Sequence, residues 1–392
     1  MVKRALLPVA KKRLDGFPVV VITGPRQCGK TTFARQLVPH FPYASLEDPD
    51  QLEFADTDPR GFLKQFPDGA ILDEIQRCPK LLSYLQGIVD KAGRMGRFVL
   101  TGSQQFGLLG SITQSLAGRA ALLNLPPFSL AELQSAKLAP DDLDTLLCKG
   151  LYPPVYDRPV EPSAWMADYI STYIERDVRQ LLNVKDLSAF QRFLQLCAGR
   201  TGQLLNITSL ASDTGISRAT AEAWLSVLEA SYVIFYARPR TGNNISSRLI
   251  KMPKLYFYDC GLAAWLAGIR EPAQISRHPL RGNIFEGWAV SELLKAQAAR
   301  GQSPRVDFLR DKDGNEVDAA VQTGSTLHAV EIKSGQTVAS DFFDGLDFWR
   351  KQASQRDLKM KPWLVYGGES PQTRERGTVV PWSKIATLTA EI

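Results

Sequence analysis

Apolar residues in the first third of the chain come in short runs, with segments of helical spacing between them. PVVVIT (18–23), GAILDE (69–74) and RFVLTGS (97–103) have the length and β-branched content of strands. The intervening stretches repeat apolar positions every three or four residues. From 19 to about 135 this alternation predicts a mostly parallel sheet covered by helices, with ligands at the carboxyl ends of the strands. Residues 3–14 predict a short leading helix with a basic, solvated face. From about 136 to 200 the spacing is helical. In 167–184, Tyr169, Ile170, Tyr173, Ile174, Val178, Leu181 and Leu182 fall near one stripe. Segment 205–240 reads helix, turn at Gly215, cap at Ser217, helix and strand, the order of a winged helix-turn-helix. Beyond 276, a helix over 282–300 with Ile284, Phe285, Trp288, Ala289 and Leu293 inward precedes three strand patterns, RVDFLRD, NEVDAAVQ and LHAVEIKSG. The pattern therefore predicts an α/β chain in three parts: 1–135, 136–275 and 276–392. A length of 392 residues suits two or three cores.

Composition narrows the classes. The net charge of +6 permits a nucleic-acid partner without requiring one. Five cysteines, odd in number and widely spaced, predict free thiols in a reducing compartment, and three histidines make a histidine-based zinc site an unattractive reading. The basic opening lacks the apolar run of a secretory signal, and no stretch reaches the ~20 apolar residues a membrane span needs. The expectation is a cytoplasmic protein without a membrane partner.

Chemistry concentrates first at 19–32, where VVVIT runs into G-x-x-x-x-G-K-[ST] with Gly24, Gly29, Lys30 and Thr31 in register. A triphosphate wrapped by backbone N–H groups needs glycine wherever a side chain would block its approach. Gly24, Pro25, Arg26, Gln27, Cys28, Gly29, Lys30, Thr31 and Thr32 are the expected ATP-binding residues. Lys30 would reach the β- and γ-phosphates, Thr31 would bind Mg²⁺, and the following helix N-terminus would add its dipole. The strand AILDEIQ then closes in Asp73 and Glu74. Asp73 suits Mg²⁺ binding and Glu74 suits orienting the attacking water. Thr101 or Ser103, ending the third strand, would present a hydroxyl between nucleotide and water. Arg119 is the candidate for stabilising charge at the γ-phosphate, in its own or a neighbouring subunit, with Arg176 and Arg179 as lesser candidates.

GPRQCGKTT, LDEIQ, LTGS, SLAGR and PPFSLAEL together resemble the ATP-binding core of a prokaryotic branch of the AAA ATPase superfamily, and YIERDVRQL and FEGWAVSELLKA resemble it too. The resemblance implies ATP binding and hydrolysis. It also implies an order of P-loop core, helices with a winged helix, and C-terminal nuclease-like domain, with a homo-oligomer plausible for such proteins.

A second constellation lies near the C-terminus. Glu331 and Lys333 share a face of one strand, Asp318 closes the strand before it, and Glu286 sits on the preceding helix. Carboxylates around Mg²⁺ can activate water and stabilise a leaving phosphodiester oxygen, with Lys333 orienting the water or neutralising developing charge. The set resembles the PD-(D/E)xK restriction-endonuclease fold, with Asp318 and Glu331 as its metal ligands. Solvated strand faces produce the same short pattern. For DNA, the helix opening at Ser217 and Arg218 carries too few basic groups for base readout. Arg238, Arg240, Arg248, Lys251 and Lys254, with Asn243 and Asn244, suit a phosphate backbone better, and so favour non-specific or structure-specific contact. Two rivals remain: an ATP-gated loader or scaffold with a non-cleaving C-terminal domain, and a small-molecule phosphotransferase.

Overall fold

The computed structural model describes residues 2–103, 115–174, 186–240, 251–355 and 357–392. They form two compact units. The first comprises Met1–Phe128 with Ala230–Tyr232 and Ala298–Ser303, and the second Ser129–Glu229, Val233–Gln297 and Pro304–Ile392.

The first unit is built on five parallel strands, β1 (Val19–Thr23), β2 (Tyr43–Ser45), β3 (Ala70–Asp73), β4 (Phe98–Gly102) and β5 (Ala120–Asn124), in the order β2-β3-β4-β1-β5. The three central strands are the three the sequence predicts, and every residue in them is buried. Helices cover both faces of a parallel sheet, which is why these strands read as continuous apolar runs. The edge strands were not legible: β2 has three residues, and β5 alternates, leaving Leu122 exposed. Because β4 lies between β1 and β3 in register, Thr23 stands beside Gly102, and Asp73 closes the strand on β4's other side. The leading helix spans Leu7–Gly16, four residues later than expected, with Pro8 in its first turn.

The second unit holds an eight-stranded mixed sheet in the order β12-β13-β11-β10-β9-β8-β6-β7. Its strands are β6 (Ile234–Pro239), β7 (Lys254–Phe257), β8 (Asp307–Arg310), β9 (Glu316–Thr323), β10 (Thr326–Lys333), β11 (Lys359–Tyr366), β12 (Gln372–Arg374) and β13 (Gly377–Pro381). Strands β8, β9 and β10 are antiparallel neighbours, whereas β10, β11 and β13 run parallel. The helix Arg281–Ala299 is buried nearly all round, including the five residues expected to face inward.

The sheet runs across residue 275, because β6 pairs with β8 (Arg238↔Asp307) and β7 pairs with β6. A strand edge needs main-chain partners, and composition along the chain does not reveal a partner seventy residues away. The helix expected over 167–184 starts earlier, at Pro162, where the Glu161 carboxylate accepts from Ala164 N at 2.7 Å, and turns π-helical over Ile170–Ile174. Residues 175–185, with Arg176, Arg179, Val178, Leu181 and Leu182, lie outside the described residues.

Residues 205–240 and 251–257 form two helices and an antiparallel strand pair. Asn206 caps Ile207–Thr214 through Ser209 N at 3.0 Å. Gly215 takes φ 80° at the turn, and Ser217 Oγ accepts from Thr220 N at 3.1 Å to open Arg218–Ala230. Trp224 meets Phe190 and Phe193 edge-on at 5.2 Å, joining this pair to the helix Leu187–Gly199. Each such ring contributes ~2 kcal/mol of apolar burial.

Candidate functional site

Strand β1 ends at Thr23 and the chain turns tightly before the helix Lys30–Leu37. A Cβ on Gly24 would lie 2.2 Å from Leu125 O, and Gly29 caps the helix at φ 88°, so both positions require glycine. The Lys30 ammonium is buried and donates to Gly24 O at 3.1 Å and Pro25 O at 2.8 Å, inside the loop that would hold phosphates. Cys28 is fully buried there, and burial pushes its thiol pKa up, so it packs as an inert small group.

Asp73 is the hub of this loop's surroundings. Its Oδ2 accepts from Thr31 Oγ1 at 2.8 Å and Tyr43 Oη at 2.7 Å, and its Oδ1 accepts from Thr101 Oγ1. Thr101 Oγ1 also accepts from Glu74 N at 3.3 Å. Burial, then the Asp73 carboxylate, push Tyr43 up to about 12, so it stays a neutral donor. Glu74 sits in the left-handed region at φ 55°, a strained conformation for a non-glycine residue. Its Oε2 accepts from Ser103 Oγ at 3.2 Å and from Gln76 Nε2. Thr101 thus bonds Asp73, and Ser103 bonds Glu74. Tyr43 and Gln76 were missed, because Tyr43 lies on a three-residue strand and Gln76 follows the acids in a short 3₁₀ turn.

These groups fit Mg²⁺. A hydroxyl and a carboxylate, both hard oxygen donors, converge beside a phosphate-sized loop. Arg119 is elsewhere. It precedes β5, its carbonyl accepts from Val19 N at the start of β1, and its guanidinium pairs with Asp90 at 2.5 and 2.9 Å. Four residues of strand separate that end from the loop, ~13 Å at ~3.3 Å per residue. The Arg119 backbone thus lies at the opposite end of β1 from the phosphate loop.

In the second unit, Glu286, Asp318, Glu331 and Lys333 lie in one cluster. Lys333 Nζ lies 2.5 Å from Glu331 Oε1 and 3.9 Å from Asp318 Oδ2, and Asp318 Oδ2 accepts from Ile332 N at 2.8 Å. Nothing in the spacing along the chain signals that Lys254, from β7, enters the same centre. Its ammonium lies 2.8 Å from Glu286, 2.5 Å from Glu316 and 3.6 Å from Asp318, and its side chain is 4% exposed. Tyr256 Oη donates to Glu286 Oε1 at 2.5 Å. Burial and neighbouring Asp318 raise both Glu286 and Glu331, to about 7 and about 8, whereas three carboxylates outweigh burial and hold Lys254 charged. Glu331 Oε2 is buried without a partner. These residues do not fit a divalent ion: an ammonium stands between the acids, and among the described residues no three His, Cys, Asp or Glu are grouped to hold a metal.

The basic run expected to follow a phosphate backbone is depleted in the same way. Lys254 is buried among acids, and Arg240 faces Asp307 at 3.5 Å and donates to Gln322. Arg238 and Lys251 are exposed, and Arg248, Asn243 and Asn244 lie outside the described residues. On the helix Arg218–Ala230, Arg218 pairs with Glu222 at 2.8 Å, so its exposed face offers base edges little. All five cysteines are free, and among the described residues no helix is long and apolar enough to cross a membrane.

A family model described as an AAA domain matches residues 16–134, and two domains of unknown function, DUF8612 and DUF4143, match residues 140–273 and 281–385. The uncharacterized proteins Rv2008c of Mycobacterium tuberculosis (strain ATCC 25618 / H37Rv) and Mb2031c of Mycobacterium bovis are each 30% identical over 330 residues, 83% of this chain and 73% of theirs. Among solved structures, the Walker-type ATPase PABY2304 of Pyrococcus abyssi is 16% identical at a TM-score of 0.44, covering 67% of this chain and 94% of its own. The RuvB Holliday junction branch migration motor of Thermotoga maritima is 20% identical at 0.28, covering 59% and 86%. Likeness at those scores carries no argument.

Proposed function

Since the chain belongs to the family of the mycobacterial proteins Rv2008c and Mb2031c, and residues 16–134 are an AAA-type P-loop ATPase domain, we propose that it hydrolyses ATP with water as the acceptor. The observation that carries the proposal is Thr31 Oγ1 at 2.8 Å from Asp73 Oδ2, two oxygen donors gathered at one end of the phosphate loop. Backbone N–H groups of 26–31 and the helix N-terminus receive the phosphates. Lys30 exchanges the carbonyls of Gly24 and Pro25 for phosphoryl oxygens, so its charge is pre-positioned. Mg²⁺ held by Thr31 and Asp73 would supply charge neutralisation between the β- and γ-phosphates. Glu74 accepts a hydrogen bond from the attacking water once Ser103 and Gln76 release its carboxylate. Magnesium-dependent release of inorganic phosphate, abolished by Lys30→Ala, tests this reading. Phosphate appearing only on a small acceptor would favour the phosphotransferase reading instead.

The remaining elements of the proposal concern the second unit. A restriction-endonuclease-like arrangement is supported by the helix Arg281–Ala299 followed by β8, β9 and β10 antiparallel and β11 parallel, with the acids at their junction. The helix–turn–helix and antiparallel strand pair of residues 207–240 and 251–257 and the net charge of +6 support a winged helix and a DNA partner held non-specifically through its backbone. Phosphate release measured with single-stranded, duplex and branched DNA across salt tests this. Duplex affinity should fall with a log–log slope of about −0.9 per neutralised phosphate, and a flat response would remove the DNA reading. Any action of Arg119 on a γ-phosphate belongs to a neighbouring copy in a homo-oligomer.

A further inference from the structure

We infer that Lys254 is the resident cation of the acid centre in the second unit, and that the native centre therefore takes up no divalent metal. The acids are those a metal-dependent phosphodiesterase would use, but an ammonium already sits against Asp318 and Glu286. Glu286 on its helix and Glu316 and Asp318 on β9 direct oxygens at one ammonium, at 2.8, 2.5 and 3.6 Å. The Lys254 side chain is 4% exposed, and its ammonium also lies 5.6 Å from the centroid of the Phe308 ring. Tyr256, two residues along the same strand, adds a hydroxyl to Glu286 Oε1, so β7 supplies both donors that satisfy that oxygen.

Neighbouring groups take most of the remaining acid oxygens. Lys333 takes Glu331 Oε1, Ile332 N takes Asp318 Oδ2, and Arg310 pairs with Glu316. Mg²⁺ requires near-octahedral oxygens at about 2.0–2.1 Å and usually keeps several waters. Glu331 Oε2 is buried without a partner, while the Asp318 oxygens face Lys254 at 3.6 Å and Ile332 N at 2.8 Å. A dication placed within reach of Asp318 would also face the Lys254 and Lys333 charges at 3.6 and 3.9 Å from that carboxylate. The lysine thus ties β7 to β9 and to the helix Arg281–Ala299 by charge, work that a metal would otherwise do.

The test is Mn²⁺ uptake by the full chain, followed by loss of the free-ion electron paramagnetic resonance signal, in an Asp73→Asn background that removes the metal-binding oxygen of the nucleotide site. The inference expects no submillimolar site in that protein and a gain of one Mn²⁺ per chain on adding Lys254→Met. Uptake before that change, abolished by Asp318→Asn, would overturn it. So would a folded Lys254→Met protein that gains no site. If Lys254→Met fails to fold, the Lys254-containing protein decides alone, because uptake that Asp318→Asn removes is incompatible with a lysine-filled centre.

Discussion

Thr31 Oγ1 donates to Asp73 Oδ2 at 2.8 Å although the two residues stand 42 positions apart. The strand order makes that meeting possible: β4 separates β1 from β3, so the phosphate loop and the acid-tipped strand open on the same edge of the sheet. The nucleotide chemistry assigned to this chain depends on that convergence.

Lys30 is the group most exposed to test. Replacing it by Ala removes the one ammonium inside the loop, and a charge-stabilising donor of this kind is typically worth ~10²–10³ in rate. ATP turnover should fall by that order, and equilibrium binding of a fluorescent ATP analogue should weaken with it. A Lys30→Ala protein with native turnover would place the ATP site elsewhere.

Tyr43→Phe removes one of the three hydroxyls on Asp73. Magnesium must compete with those donors for the carboxylate. Losing one worth ~1 kcal/mol should lower the Mg²⁺ concentration for half-maximal turnover about fivefold. The Mg²⁺ dependence of phosphate release reads this directly, and an increased requirement would mean Tyr43 positions Asp73 rather than competing for it.

The acid centre sets a pH dependence. Glu286 and Glu331 are raised from 4.5 to about 7 and about 8 by burial and by Asp318, so the folded chain binds more protons than the unfolded chain in that window. Their contribution is greatest below the unfolded value and is lost as pH rises through 7 to 8. The melting temperature of the second unit should therefore drop between pH 5 and 8, and Glu331→Gln should flatten the drop. An unchanged slope in that variant would show that Glu331 does not titrate there.

Arg119→Ala should leave ATP affinity unchanged, because Arg119 pairs with Asp90 at the far end of β1 and β5. Isothermal titration of ATP into the variant checks this, and a large loss of affinity would contradict its placement outside the nucleotide site of its own chain.

The sequence was most legible where chemistry forces residue type. Gly24, Gly29 and Lys30 are dictated by the phosphate loop, and β1, β3 and β4 are apolar throughout because both faces are covered. The carboxylates of the second unit were legible as a set, since Glu331 and Lys333 alternate on one strand. What could not be read were partners from distant elements. Tyr43 reaches Asp73 from a strand too short to show a period, and Lys254 looked like one more basic residue in a positive run. Only the pairing of β6 with β8 and of β7 with β6 carries it to the acids, and one-dimensional spacing does not encode that pairing.

The account rests most directly on Glu74, and the decisive measurement is phosphate release by Glu74→Gln compared with its ATP binding. Bound ATP retained at native affinity, with turnover reduced by ~10²–10⁴ as expected for loss of a general base, is the predicted result. Native turnover in Glu74→Gln would contradict hydrolysis at this site.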